Sequence, residues 1–197
     1  MAAVVFKRNF LVADTSSLIY LTKSSLIRPF LQAFHVAIPP LVYKESSPKG
    51  YPGSDEIERL IGQGRLCVHP VREDGTLHLG LPKGGEREAI MLFYQLEPDG
   101  LLIDDGEGVK ACRSLGIPFV SALLVPSLLL MRRAIEPTEA EEFLKRIVAV
   151  GRYSQHVIIF AREALAEARD RGNSVGNIEI RRTDGITSKQ NPRESFQ

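Results

Sequence analysis

The 197-residue chain is 44% hydrophobic and 25% charged, and its 25 Lys and Arg against 24 Asp and Glu leave a net charge of +1. These values are ordinary for a globular protein with one full core; they exclude a disordered or fibrous chain and any global field that draws polyanions, so affinity for nucleic acid must come from local patches. Cys67 and Cys112 form no CxxC pair and follow no secretory signal, and Pro126 breaks the apolar run from Ser121 to Met131, so we expect no disulfide framework, no structural zinc, no membrane span and a reducing, cytoplasmic setting.

Phe10-Leu11-Val12-Ala13 is a continuous apolar run of the kind a buried parallel strand shows, and it ends in Asp14. Ser16 and Ser17 are placed to cap a helix from Leu18 to Lys23 that extends towards Phe34 with an interruption near Pro29. His35 to Ile38 predicts a second strand, and Pro39-Pro40 stop it and open a helix, since proline is tolerated in a first turn. On that helix Glu45 lies one turn below Leu41 and Val42 and shares their inward-leaning face. Ser46 to Ser54 is turn-rich, Asp55 to Gly62 predicts a short helix, Leu66-Cys67-Val68 a brief strand and Arg72 to Gly80 a loop. His69 and His78, in or near that loop, read as surface residues without a role.

Gly84-Gly85-Glu86 opens a helix to Leu96 whose apolar positions Ala89, Ile90, Phe93 and Leu96 follow the spacing of one buried face. Glu86, three and four residues before Ala89 and Ile90, projects from that face, whereas Glu88 points roughly 160° away and reads as a solvated or capping residue. Leu101-Leu102-Ile103 then runs into Asp104-Asp105, a turn, a helix from Val109 to Leu115 ended by Gly116, and the apolar Ile117 to Val120. Strand, turn, helix and strand make the repeat unit of a parallel α/β sheet, in which ligands collect at the carboxyl ends of strands. Ser121 to Ala134 predicts a helix despite Pro126, Thr138 caps another running to Val150, and Ser154 to Arg171 is a third. We expect one domain over 1–136, a C-terminal helical extension over 137–172 packing on it, and a mobile polar tail over 173–197 in which Ile178-Glu179-Ile180 is the only apolar alternation.

The acids at strand ends or on flanking helices are Asp14, Glu45, Glu86, Asp104 and Asp105. Gathered closely they repel, by about 4 kcal/mol for a pair at ~4 Å and an effective dielectric near 20, so a cation is the natural neutraliser. Oxygen-only ligands select a hard ion, Mg²⁺ or Mn²⁺, over zinc. The chain carries no GxGxxG, GxxxxGK[ST], GxSxG or HExxH signature.

The order of these segments resembles PIN-domain proteins. Leu11-Val12-Ala13-Asp14-Thr15-Ser16-Ser17-Leu18-Ile19 resembles their opening hhDtSxLI, and Ile38-Pro39-Pro40-Leu41-Val42-Tyr43-Lys44-Glu45 their IPxxVxxE helix. Gly85-Glu86-Arg87-Glu88-Ala89-Ile90 and Leu101 to Ser121 are similar to the GExEAI and LLxDDxxxRxxAxxLG segments of a prokaryotic PIN-like branch. The resemblance implies a three-layer α/β/α fold with a central parallel sheet and a Mg²⁺- or Mn²⁺-dependent ribonuclease, of a kind often found as the toxin of a toxin–antitoxin pair and often dimeric. It implies catalytic roles for Asp14, Glu45, Glu86 and Asp105, and a metal set of Asp14, Glu86, Asp104 and Asp105, with Asp105 the fourth family acid and Asp104 its helper. Partners would be RNA, an antitoxin protein and a second copy of the chain, and Lys23, Lys83 and Arg87 would contact phosphates. The chain departs from the pattern at Ile103, where active relatives carry Thr or Ser, at Gly106-Glu107-Gly108, which replaces a basic turn, and at Val109, which takes the place of an Arg.

Two other readings are open. A PIN-like module that binds nucleic acid or protein with weak or no cleavage suits the altered turn and the near-neutral charge. A phosphatase that also begins with Asp after a strand needs a second Asp two residues on, where Ser16 stands.

Overall fold

In the computed structural model, which describes residues 6–48, 50, 52–72 and 81–171, the apolar runs form strands of a single sheet. They are β1 (Phe10–Ala13), β2 (His35–Ile38), β3 (Cys67–Val68), β4 (Gly100–Leu102) and β5 (Phe119–Val120), all parallel and ordered β3-β2-β1-β4-β5. The expectations for residues 173–197, with Ile178-Glu179-Ile180, for His78 and for most of the loop from Arg72 to Gly80 lie outside the described residues.

Because side chains alternate along a strand, β1 sends Leu11 and Ala13 to one face and Val12 to the other. Val36, Ile38, Leu102 and Val120 join Leu11 in a large core beneath α1 (Thr15–Lys23), α2 (Ile27–Ala33), α3 (Pro40–Ser46), α4 (Ser54–Gly62), α7 (Val125–Met131), α8 (Pro137–Val150) and α9 (Gln155–Arg171). Ala37, Leu101 and Ile103 join Val12 beneath α5 (Gly85–Leu96) and α6 (Gly106–Leu115). The result is the three-layer α/β/α architecture, in which strands buried on both faces are continuously apolar. Ala140, Leu144, Ile147, Ala161, Leu165 and Ala168 of α8 and α9 belong to the same cluster as Leu11 and Leu18, and each buried Leu or Ile there contributes about 2 kcal/mol. Among the described residues no helix is long and apolar enough to cross a membrane.

Several element boundaries differ from the sequence expectation, each for a local reason. Asp14, not Ser16 or Ser17, caps α1, accepting from the Ser17 backbone N at 2.8 Å, so the helix starts at Thr15. The break towards Phe34 falls at Ser25, whose backbone turns left-handed (φ 63°), and Pro29 sits inside the first turn of α2, where its missing N–H costs nothing. Asp105 caps α6 and starts it at Gly106 rather than Val109, while Gly116 ends it with φ 68° as expected. Residues 122–124 form a 3-10 turn before α7, which tolerates Pro126 in its first turn. Thr138 does not cap α8: the Glu139 carboxylate accepts from the Glu136 backbone N at 2.9 Å.

Candidate functional site

From β1 the chain steps one way to β2 and later the other way to β4, so the strand order reverses between β1 and β4. At such a reversal the connections leave in opposite directions and open a crevice beyond the carboxyl ends of the two strands. Asp14 follows β1 directly, its backbone N donating to the Leu102 carbonyl at 2.9 Å, and Asp104 and Asp105 follow β4 two residues later.

Asp14 is fully buried. Besides capping α1, it accepts from the Ser16 hydroxyl at 2.6 Å. Burial, then the charge of Asp104, pushes its carboxyl up to about 7, against the opposing pull of the Ser16 and Ser17 donors. Ser17 joins the two acids: its backbone serves Asp14 and its hydroxyl donates to Asp104 Oδ2 at 2.7 Å. Asp104 also accepts from the Ala122 backbone N at 2.9 Å, the Tyr153 hydroxyl at 2.9 Å and the Ser121 hydroxyl.

A second group of acids lies beside the first. Glu45, exposed on α3, accepts from the Thr15 hydroxyl at 2.7 Å, one residue after Asp14. The first turn of α5 crosses close by, because a Cβ on Gly85 would stand 2.7 Å from Glu45 Oε2, 2.8 Å from Thr15 Oγ1 and 2.9 Å from Val42 Cγ2. At Gly84 the same construction places Glu45 Oε1 and Glu86 Oε2 each 3.4 Å from one point. Burial first, then Asp105 and Glu45, raises the Glu86 carboxyl above its ordinary value, the Glu86 backbone N–H opposing. Asp105 spends Oδ1 on the Glu107 and Gly108 backbone N–H groups that open α6. The structure therefore brings Asp14 with Asp104, and Glu45 with Glu86 and Asp105, to one end of the sheet, with Thr15 and Ser17 as the links.

The donor set suits a hard cation in chemistry and charge. Every side chain offers oxygen, and among the described residues none of the six ion pairs engages any of the five acids. The spacing is open: among the described residues no three His, Cys, Asp or Glu side chains are grouped to hold one ion. Among the described residues Glu86 accepts from no other residue, the second oxygens of Asp105 and Glu45 accept nothing, and Asp14 accepts one bond on each oxygen, so these acids keep lone pairs for a ligand.

Of the expected phosphate contacts, Lys83 adjoins Gly84 and Arg87 follows Glu86, both at this end of the sheet. Lys23 ends α1, nine residues beyond Asp14 and about 13 Å along the helix axis, away from the cluster. Lys110, one turn into α6 and paired with Glu107 at 2.7 Å, is a cation beside Asp105 that the sequence reading passed over. Ser121 and Tyr153 were also missed. Ser121 follows β5 as Asp14 follows β1, a signal the strand-end pattern contains; Tyr153, on the link between α8 and α9, carries none.

A family model described as a PIN domain matches residues 10–168. No curated protein and no solved structure matches the chain.

Proposed function

The chain belongs to the PIN-domain family, whose fold is nuclease-like and whose members generally use divalent metals, and from that premise we propose that it is a Mg²⁺- or Mn²⁺-dependent ribonuclease acting at the acid cluster. The observation that carries the reading is the gathering of five carboxylates at the β1–β4 reversal with no ion-paired cation among the described residues. Asp14, Glu86 and Asp105, with Glu45 beside them, would hold the ion. When bound, it would supply an activated water and charge stabilisation for phosphodiester hydrolysis.

The chain's own residues set the rest. Ser16 and Ser17 fix both oxygens of Asp14, and burial keeps bulk water from it. Thr15 fixes Glu45 against the first turn of α5. Burial, then the charges of Asp105 and Glu45, raises the Glu86 carboxyl above its ordinary value, so its protonated form is favoured until a cation neutralises the group. Lys83 and Arg87 would orient the phosphate backbone from the rim. The toxin of a toxin–antitoxin pair, working as a homodimer in the cytoplasm, is the setting the family resemblance implies.

The test is cleavage of a mixed-sequence RNA with Mg²⁺ or Mn²⁺. Asp14→Asn should lose cleavage while keeping its circular dichroism, since Asn caps a helix as well as Asp; equal cleavage by parent and variant overturns the assignment. A second reading, a module that binds nucleic acid or protein with little or no cleavage, draws on the open spacing of the acids. It predicts a gel shift with RNA and no cut product from the parent.

A further inference from the structure

The five acids differ in how many lone pairs they have left. A carboxylate offers about four acceptor sites. Asp104 fills them: Ser121 and Tyr153 donate to Oδ1, and Ser17 and the Ala122 backbone N donate to Oδ2. Asp14 accepts two of these bonds, from Ser16 and the Ser17 backbone, and Asp105 accepts two on one oxygen alone. Asp104 is thus the one acid of the five with nothing left to offer an ion.

The donors on Asp104 come from four places: α1, the end of β5, the 3-10 turn before α7, and the link between α8 and α9. Tyr153 is seated for this bond from below and from the side. A Cβ on Gly151 would stand 2.1 Å from Tyr153 Cε2, so only glycine leaves room for the ring there. The Tyr20 ring of α1 meets it edge-on, with centroids 5.7 Å apart. From Tyr153 the bonds run to Asp104, through Ser17 and on to Asp14.

We propose that Asp104 is not a ligand of the ion but the hydrogen-bonded anchor through which Tyr153 holds Ser17 and Asp14 in place, so that Tyr153 is a positioning residue of the site. The reassignment rests on the ribonuclease reading only where it concerns the ion; the anchoring stands without it. Groups that orient a ligand from behind are costly to remove, but less so than the ligand itself.

The experiment uses the full chain and two readouts. In calorimetric titration with Mn²⁺ alone, Tyr153→Phe and Asp104→Asn should each weaken binding by about tenfold, while Glu86→Gln should remove it. Asp104→Asn removing binding as completely as Glu86→Gln overturns the proposal, and so does Tyr153→Phe binding as the parent does, which is the result for a residue that only packs. Amide hydrogen exchange without metal is the second readout: Tyr153→Phe should speed exchange at Ser17 and Ala122 by about tenfold, the loss of one cooperative hydrogen bond, and leave the centre of α5 unchanged. Unchanged exchange at Ser17 overturns the proposal. Should the parent bind no Mn²⁺, the ribonuclease reading fails and the exchange result decides the anchor by itself; should Asp104→Asn not fold, Tyr153→Phe decides the anchoring role by both readouts.

Discussion

Asp14 uses one carboxylate for two purposes, capping α1 and facing Asp104, and it does so fully buried. Its folded-state value of about 7 lies above the ordinary 3.8, so folding favours the protonated form. The stability this confers is whole below about pH 4 and is lost as pH rises through about 7. The parent's unfolding free energy in urea should therefore fall across that window relative to Asp14→Asn, the change reaching on the order of 4 kcal/mol. Parallel pH profiles for the two proteins would remove the electrostatic account of the site. Glu86 shifts the same way and adds to the slope. Saturating Mn²⁺ should flatten it, because a bound cation favours the ionised forms.

At the scale of elements, the strands, the helix faces and the Gly116 terminus of α6 were legible and the side-chain N-caps were not. Continuous apolar runs located β1 and β2 to the residue, because a strand buried on both faces has no other way to be written. Caps depend on which side chain reaches a backbone N–H in three dimensions, and here the reach is often from another element. Glu88, read as solvated or capping, accepts from the Leu41 backbone N at 2.9 Å and so caps α3 from α5. Glu88→Ala should lower stability by about 1 kcal/mol in urea unfolding and Glu88→Gln by much less; equal losses would mean that the charge, not the acceptor, matters. The close crossing of α3 and α5 at Gly85 gives a sharper case. Gly85→Ala drives a methyl into Glu45, Thr15 and Val42 and should cost about 1–3 kcal/mol in the same assay, whereas an unaffected midpoint would show that the crossing is loose.

The whole molecule places its acids by topology. Asp14 and Asp104 lie far apart in sequence, yet parallel pairing of β1 with β4, Ala13 opposite Leu102, sets their strand ends side by side. Strand-end acids could therefore be picked out from the sequence, since each is a carboxylate where an apolar run stops. Tyr153 could not, because its contact with Asp104 spans 49 residues and arises only from the packing of α8 and α9 on the same core as β1. Nor could the open spacing of the acids, which depends on side-chain hydrogen bonds rather than on residue order. Uptake of a divalent ion by this cluster is the property on which the proposed activity depends, and thermal melting of the parent and Glu86→Gln over a Mn²⁺ series tests it most directly. A protein that binds Mn²⁺ when folded gains RT ln(1 + [L]/Kd), so the parent's Tm should climb steadily with Mn²⁺ while that of Glu86→Gln stays level. Two flat, superimposable curves would contradict it.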